Sequence, residues 1–198
     1  MPPTARRRTP SVAVRDALLR AGRQLLDQGG PAALGIRDIA AVAGVSPMGV
    51  YQRFGSKEGI LNALLEQGFT DLGTAINVTP DPARPLRALA TGMAHYREFA
   101  IANPGLYRLM FDLPFPDFSP SPTAISASRA TFDRLIDAVR LCIATGDLRP
   151  DDPDELAQQI WAGCHGAVSL ELRGIGFVAD PASHYRNLTH TLIRGLAP

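Results

Sequence analysis

The sequence predicts an all-α protein, and three observations carry the prediction. Apolar residues recur three and four positions apart, as Val14, Ala17, Leu18, Ala21 and Leu25 do, which gathers them on one helical face. Clusters of Pro, Gly, Asn and Asp cut these periodic runs into helix-sized lengths. No strand-like alternation and no internal repeat is found in the 198 residues. The expected order is a basic, disordered arm over residues 1–10, a three-helix head of helix-turn-helix type over 11–57, a connecting helix over 58–78 and a helical body over 79–198.

Each element has a local reason. Ser11 opens the first helix and Gly29-Gly30-Pro31 ends it. The next pair lies within Ile36 to Lys57, IRDIAAVAGVSPMGVYQRFGSK. Two short helices that cross closely need a small residue at the crossing, left-handed backbone at the bend and apolar inner faces. Ala40, Gly44 and the set Ile39, Val42, Val45 and Val50 meet those needs in order. Ser46 caps the second helix through its hydroxyl and Pro47 takes its first position. Phe54-Gly55 closes that helix, and Ser56 caps the next, with Glu58 in the first turn where a carboxylate suits the helix dipole.

The connecting helix carries Ile60, Leu61, Leu64, Leu65 and Phe69, and Thr79-Pro80-Asp81-Pro82 breaks it. Pro85 starts a helix with Leu86, Leu89, Met93, Tyr96 and Ala100 inward, stopped by Asn103-Pro104-Gly105. A short helix from Leu106 to Phe111 follows, and the proline-rich run Pro114 to Pro122 is a loop. Three longer helices, near Thr123 to Thr145, Pro153 to Arg173 and Pro181 to Leu196, complete the chain.

Charge separates the two parts. The total of +1 combines nine basic and three acidic side chains in residues 1–57 with 11 basic and 16 acidic ones in the remainder. One cationic end attracts phosphates at long range and makes binding salt-dependent. The second helix of the pair offers Pro47, Met48, Tyr51 and Gln52 outward, as a helix entering a major groove does, and Gln52 has an amide suited to adenine. Lys57, the only lysine in the chain, sits at a helix N-terminus, where a cation is disfavoured until an anion such as a DNA phosphate pairs with it. Arg37 and Ser46 complete the expected DNA-contacting set, and Arg6-Arg7-Arg8 can follow the DNA backbone or its minor groove.

Other functions are disfavoured. No run of about 18 apolar residues exists and residues 1–10 lack an apolar signal core, so a cytoplasmic protein is expected, at the nucleoid when bound to DNA. Cys142 and Cys164 fall on different helices without CxxC spacing and read as reduced, buried small hydrophobes. Cys164 and His165 point to different sides of one helix, and His95, His184 and His190 lack metal-ligand spacing. A non-enzyme with no cofactor and no metal is expected.

The residues Ile39-Ala40, Ala43-Gly44-Val45-Ser46, Val50-Tyr51, Phe54, Lys57-Glu58 and Leu61 stand in the register of the TetR/AcrR family of bacterial repressors, which residues 11–65 resemble. Gly35 replaces the usual Ser or Thr cap of that pattern, and Arg53 stands where His or Tyr is common. Further on, Trp161-Ala-Gly-Cys-His165-Gly166, together with the stretches Tyr96 to Phe99 and Asn103 to Phe111, resembles the WHG-type C-terminal domain of one subgroup.

That resemblance implies a repressor that a small apolar or aromatic effector releases from a palindromic operator. It implies a ligand pocket lined by Met93, Tyr96, Phe99, Phe111, Phe132, Trp161 and His165. It also implies a homodimer formed by the last two long helices, with Ala167, Val168, Leu170, Leu172, Leu188, Leu192 and Ile193 supplying apolar surface and Gly163 and Gly166 allowing close approach. The alternative is a dimeric DNA-binding protein with no physiological effector, whose body serves only to dimerise.

Overall fold

Nine α-helices and one 3-10 turn account for the regular structure of residues 11–79, 83–112, 115 and 117–198, which the computed structural model describes. The arm over residues 1–10 and parts of the breaks at Pro80–Pro82 and Pro114–Pro122 lie outside the described residues. The helices are α1 (Ser11–Gly29), α2 (Ile36–Val42), α3 (Pro47–Phe54), α4 (Lys57–Ile76), α5 (Pro85–Ala102), α6 (Pro104–Asp112), α7 (Pro122–Ala144), α8 (Pro153–Arg173) and α9 (Pro181–Gly195). The 3-10 turn Pro31–Ala33 separates α1 from α2.

The chain divides into two compact units. The head comprises the residues up to Gln67 together with Gly105–Ser121, and the body comprises Gly68–Pro104 and Pro122–Pro198. Helix α4 therefore contributes to both. The boundaries read from the sequence run differently, because they follow chain order, whereas α6 and the segment after it belong to the head although they come after α5.

In the head, α2 packs on α1 and on α3. Leu18, Ile39, Val50 and Leu64 are wholly buried. The bend between α2 and α3 works as the spacing requires. Gly44 adopts φ 67°, and the amides of Val45 and Gly44 donate to the carbonyls of Ala40 (2.9 Å) and Ala41 (3.1 Å), the paired bonds of a left-handed helix end. Val42 departs from expectation: it is 42% exposed rather than on the inner face. The buried pair of α2 is Ile39-Ala40, and at 100° per residue Val42 points roughly 110° away from the direction those two share. In α1 the innermost apolar residue of the last turn is Leu26, 1% exposed, while Leu25 is half-buried.

Helix α6 begins at Pro104 rather than Leu106, because proline is well tolerated in a first turn whose N-H groups have no intrahelical partner. Its second residue explains its seat in the head. A Cβ on Gly105 would stand 2.2 Å from the carbonyl oxygen of Leu26 and 2.8 Å from the amide nitrogen of Asp27, so α6 meets the end of α1 backbone to backbone.

In the body, α5 packs on α7, α8 and α9, and α8 packs on α7 and α9. The buried row of α8 is Leu156, Ala157, Ile160, Cys164 and Val168, spaced three and four apart. Thr131 is buried and satisfied: its hydroxyl lies 2.7 Å from the Phe69 carbonyl and 2.9 Å from that of Ala127. His95 donates from Nδ1 to the Ala75 carbonyl at 2.9 Å, which tethers α5 to the end of α4 and fixes the ring as a structural group.

Candidate nucleic-acid interface and the polar chain of the body

The sequence of α3 fixes both of its faces. Ser46 has extended backbone and its hydroxyl accepts from the Gly49 amide at 3.3 Å, while Pro47 fills the first helical position. Val50, 0% exposed, anchors the inner face. On the outer face Met48 is 62% and Tyr51 49% exposed, and Pro47 and Gln52 are exposed with them. The Ser46 hydroxyl accepts through its oxygen and keeps its hydrogen as a donor.

Arg37 lies in the first turn of α2, exposed, and forms one wall of a cleft of about 450 Å³ lined by Gly35, Ile36, Arg37, Asp38, Pro47 and Tyr51. Gly35, with no side chain to offer, leaves the amide end of α2 uncapped by a side-chain hydrogen bond. The carboxylate of the exposed Asp38 lies over the position that a Cβ on Gly35 would take.

Arg53 folds back on its own helix. Its Nη1 donates to the Gly49 carbonyl at 3.2 Å, and its buried Nε has no hydrogen-bond partner among the described residues. Ser56 caps α4 by accepting from the Gly59 amide at 3.2 Å. The Glu58 carboxyl is held below the ordinary carboxylate range by its bond with Ser56, then by its own backbone amide and by neighbouring Lys57. Lys57 is half-buried, and its Nζ lies 5.0 Å above the centroid of the Phe115 ring. Nothing in the spacing of the motif pointed to Phe115, which lies in the loop after α6.

The expected ligand-lining residues fall in both units. Phe111 belongs to the head, where its ring meets Tyr107 at 4.7 Å. The other six belong to the body. Met93, Tyr96 and Phe99 are buried at 3%, 6% and 8% exposure, while Phe132, Trp161 and His165 are half-buried. Trp161 meets Phe132 edge-on at 5.9 Å and His165 at 5.5 Å.

A hydrogen-bonded chain links several of these side chains. Trp161 Nε1 donates to the Tyr96 hydroxyl at 3.3 Å. That hydroxyl shares a bond with His165 Nδ1 at 3.1 Å, and His165 Nε2 lies 3.4 Å from the Ser169 hydroxyl. A neutral imidazole donates from one nitrogen and accepts at the other, so the ring stands between the two hydroxyls as donor to one and acceptor from the other. Ser169 joins the chain because it lies one helical turn beyond His165, a spacing visible in the sequence. Beside the chain, Arg97 clasps Glu171 through Nε at 2.8 Å and Nη2 at 2.5 Å, and this hydrogen-bonded carboxylate raises the guanidinium above its ordinary value. Tyr185 donates to the Met93 carbonyl at 2.7 Å.

Among the residues expected to form a dimer surface, Val168 is 0% exposed. It continues the inward row of α8 and faces the body's own interior, so it is not a surface group. Leu170 is 48% exposed, and Ala167, Leu172, Leu188, Leu192 and Ile193 are half-buried. A Cβ on Gly163 would stand 2.6 Å from Leu192, so that glycine serves packing of α8 on α9, whereas nothing lies within 4 Å of one on Gly166. No group of three or more His, Cys, Asp or Glu side chains among the described residues is placed to hold a metal ion.

The family model described as bacterial regulatory proteins, tetR family, matches residues 18–64, and that described as tetracyclin repressor-like, C-terminal domain, matches residues 83–195. An HTH-type transcriptional regulator of Mycobacterium tuberculosis is 28% identical over 211 aligned positions, covering 88% of this chain and 88% of the relative. A protein of unknown function from Rhodococcus sp. RHA1 has a similar structure, with a TM-score of 0.81 at 25% identity over 99% of this chain and 100% of that one. NalD, the secondary repressor of the MexAB-OprM multidrug efflux pump in Pseudomonas aeruginosa, shares the fold, with a TM-score of 0.65 at 22% identity over 94% and 97% of the two chains.

Proposed function

The chain belongs to the TetR family of DNA-binding transcriptional regulators, and from that premise we propose that it is a homodimeric repressor which a small apolar or aromatic effector releases from a palindromic operator. The observation that carries the reading is the outer face of α3, where Pro47, Met48, Tyr51 and Gln52 stand exposed over a buried Val50. Gln52 and Met48 are assigned to base edges, while Arg37, Ser46, Tyr51 and Lys57 are assigned to the backbone.

One reading helix covers few base pairs, so two heads related by a two-fold axis supply the affinity and the half-site spacing. The partner surface is assigned to Ala167 and Leu170 of α8 and Leu188, Leu192 and Ile193 of α9, which keep apolar surface open, while Leu172, one turn past Val168, follows the inward row of α8 and is left out of it. Effector binding among Met93, Tyr96, Phe99, Phe132, Trp161 and His165 favours a second arrangement of the heads, with a coupling of about 1–3 kcal/mol, or about 5-fold to 150-fold in DNA affinity. The protein acts in the bacterial cytoplasm; no helix among the described residues is long and apolar enough to cross a membrane.

A second reading, a dimeric DNA-binding protein with no effector, is favoured by one observation. Trp161, Tyr96, His165 and Ser169 already bond to one another, so the body satisfies these polar groups without a ligand. Selection of bound sequences from random duplex DNA at two salt concentrations tests the DNA assignment, and an enriched palindrome is the expected result. No enrichment at either salt removes the operator reading. Thermal stabilisation across a library of apolar compounds separates the two readings, since an effector raises the melting temperature by mass action.

A further inference from the structure

We propose that Phe115 is a positioning residue for DNA binding, holding Lys57 against the N-terminus of α4 in the posture in which it meets a phosphate. The inference rests on the assignment of Lys57 to the DNA backbone. Lys57 begins α4, where the helix dipole repels a cation. The face of the Phe115 ring, 5.0 Å from Nζ, offsets that repulsion by attracting the ammonium group. A ring covers one side of an ammonium group, and its N-H donors on the other sides remain for an anion.

The ring is itself held in place. Phe118, 9% exposed, meets Phe115 edge-on at 6.4 Å, and its amide donates to the Phe115 carbonyl at 3.1 Å. Three residues further on, the Ser121 amide donates to Asn62 Oδ1 of α4 at 2.6 Å. At the other end α6 is seated on α1 through Gly105. Phe115, Phe118 and Ser121 thus fasten onto the head beside the same helix that Lys57 opens, and all belong to one compact unit. A lysine without such a partner would lose rotamer freedom on meeting DNA; one already held loses less.

The test is the affinity of a fluorescently labelled duplex of the enriched sequence, measured across a salt series for wild type, Phe115→Leu, Phe115→Trp, Lys57→Gln and the double variant Lys57→Gln with Phe115→Leu. Lys57→Gln should weaken binding and flatten the salt dependence by about one unit of slope, the signature of one lost phosphate contact. Phe115→Leu should weaken binding by about 3- to 10-fold, the scale of a partly exposed cation–π contact, and flatten the slope in the same direction. Phe115→Trp should restore what leucine loses, and Phe115→Leu should cost nothing further in the Lys57→Gln background.

Phe115→Leu binding like wild type, or losing the same factor with and without Lys57, overturns the inference while leaving the DNA reading intact. A Lys57→Gln variant with unchanged affinity and slope overturns it by removing its target. Wild type that binds no duplex at low salt overturns the reading on which it stands. Thermal melts of each variant separate lost folding from lost contact, and Phe115→Leu melting far below wild type while Phe115→Trp restores neither stability nor affinity also counts against it.

Discussion

Gly105→Ala is the sharpest test of how α6 is seated. The added methyl would stand 2.2 Å from the Leu26 carbonyl oxygen, 2.3 Å from the carbonyl carbon and 2.8 Å from the Asp27 nitrogen. A carbon and a carbonyl oxygen in ordinary contact lie about 3.3 Å apart, so the two backbones must separate by about 1 Å. The atoms that must move are main chain. The Leu26 carbonyl also accepts the Gly30 amide at 2.8 Å, the bond that finishes α1, so it cannot swing aside freely. Overpacking of this kind costs about 3 kcal/mol, and the helix preference of alanine over glycine returns at most about 1 kcal/mol, which leaves a net loss of about 2 kcal/mol. For a chain of this length that lowers the melting temperature by about 4–8 °C. Calorimetry or circular dichroism reads the shift directly. If Gly105→Ala melts within about a degree of wild type, α6 is not seated on α1 as described, and the expected size of the shift follows from the same scaling.

Three further outcomes are expected. Gly44→Ala meets no atom within 4 Å yet must adopt φ 67°, so it should cost about 1–2 kcal/mol in denaturant melts through backbone strain alone, with Gly44→Asn milder; an alanine variant as stable as wild type would contradict the left-handed bend. Tyr96→Phe keeps the ring but strips Trp161 Nε1 and His165 Nδ1 of a shared partner, so stability should fall by about 1–3 kcal/mol and Trp161 fluorescence should shift; unchanged emission and stability would dissolve the polar chain. Burial pushes the thiols of Cys142 and Cys164 up to about 11, so both should resist a thiol reagent in the folded protein at neutral pH and react once it is unfolded; rapid labelling of either in the native state would refute this.

What the sequence made legible was local. Ser46, Pro47, Gly44, Gly55 and Ser56 specify starts and stops through their own backbone preferences, and the structure places each in that role. Such residues act over three or four positions, within reach of spacing rules. Phe115 on Lys57, Gly105 on Leu26 and Arg97 on Glu171 join residues 58, 79 and 74 positions apart. No periodicity encodes such pairs. Arg97 and Glu171 are each ordinary surface residues until α5 and α8 lie side by side. The placement of α6 in the head is of the same kind, because a short helix between two prolines carries no statement of which neighbour it will find.

Val168 and Val42 show a second limit, which is one of phase. Helix α8 has apolar residues on more than one side, since it packs on α5, α7 and α9 and still leaves Leu170 48% exposed. An apolar list taken from such a helix mixes two faces. The 100° step separates them once one buried residue is known: Ile160, Cys164 and Val168 form the inward row, and Leu170, two positions past Val168, lies about 160° from it. Leu170 and Val168 therefore cannot serve one surface. The same step applied to Ile39 and Ala40 turns Val42 outward. A partner helix laid against α8 in a dimer must meet the side that carries Leu170, and a charge placed there should separate the copies while leaving the fold of each intact. Leu170→Glu in sedimentation is the measurement: a folded monomer is expected, and an unchanged dimer would move the interface off this face of α8.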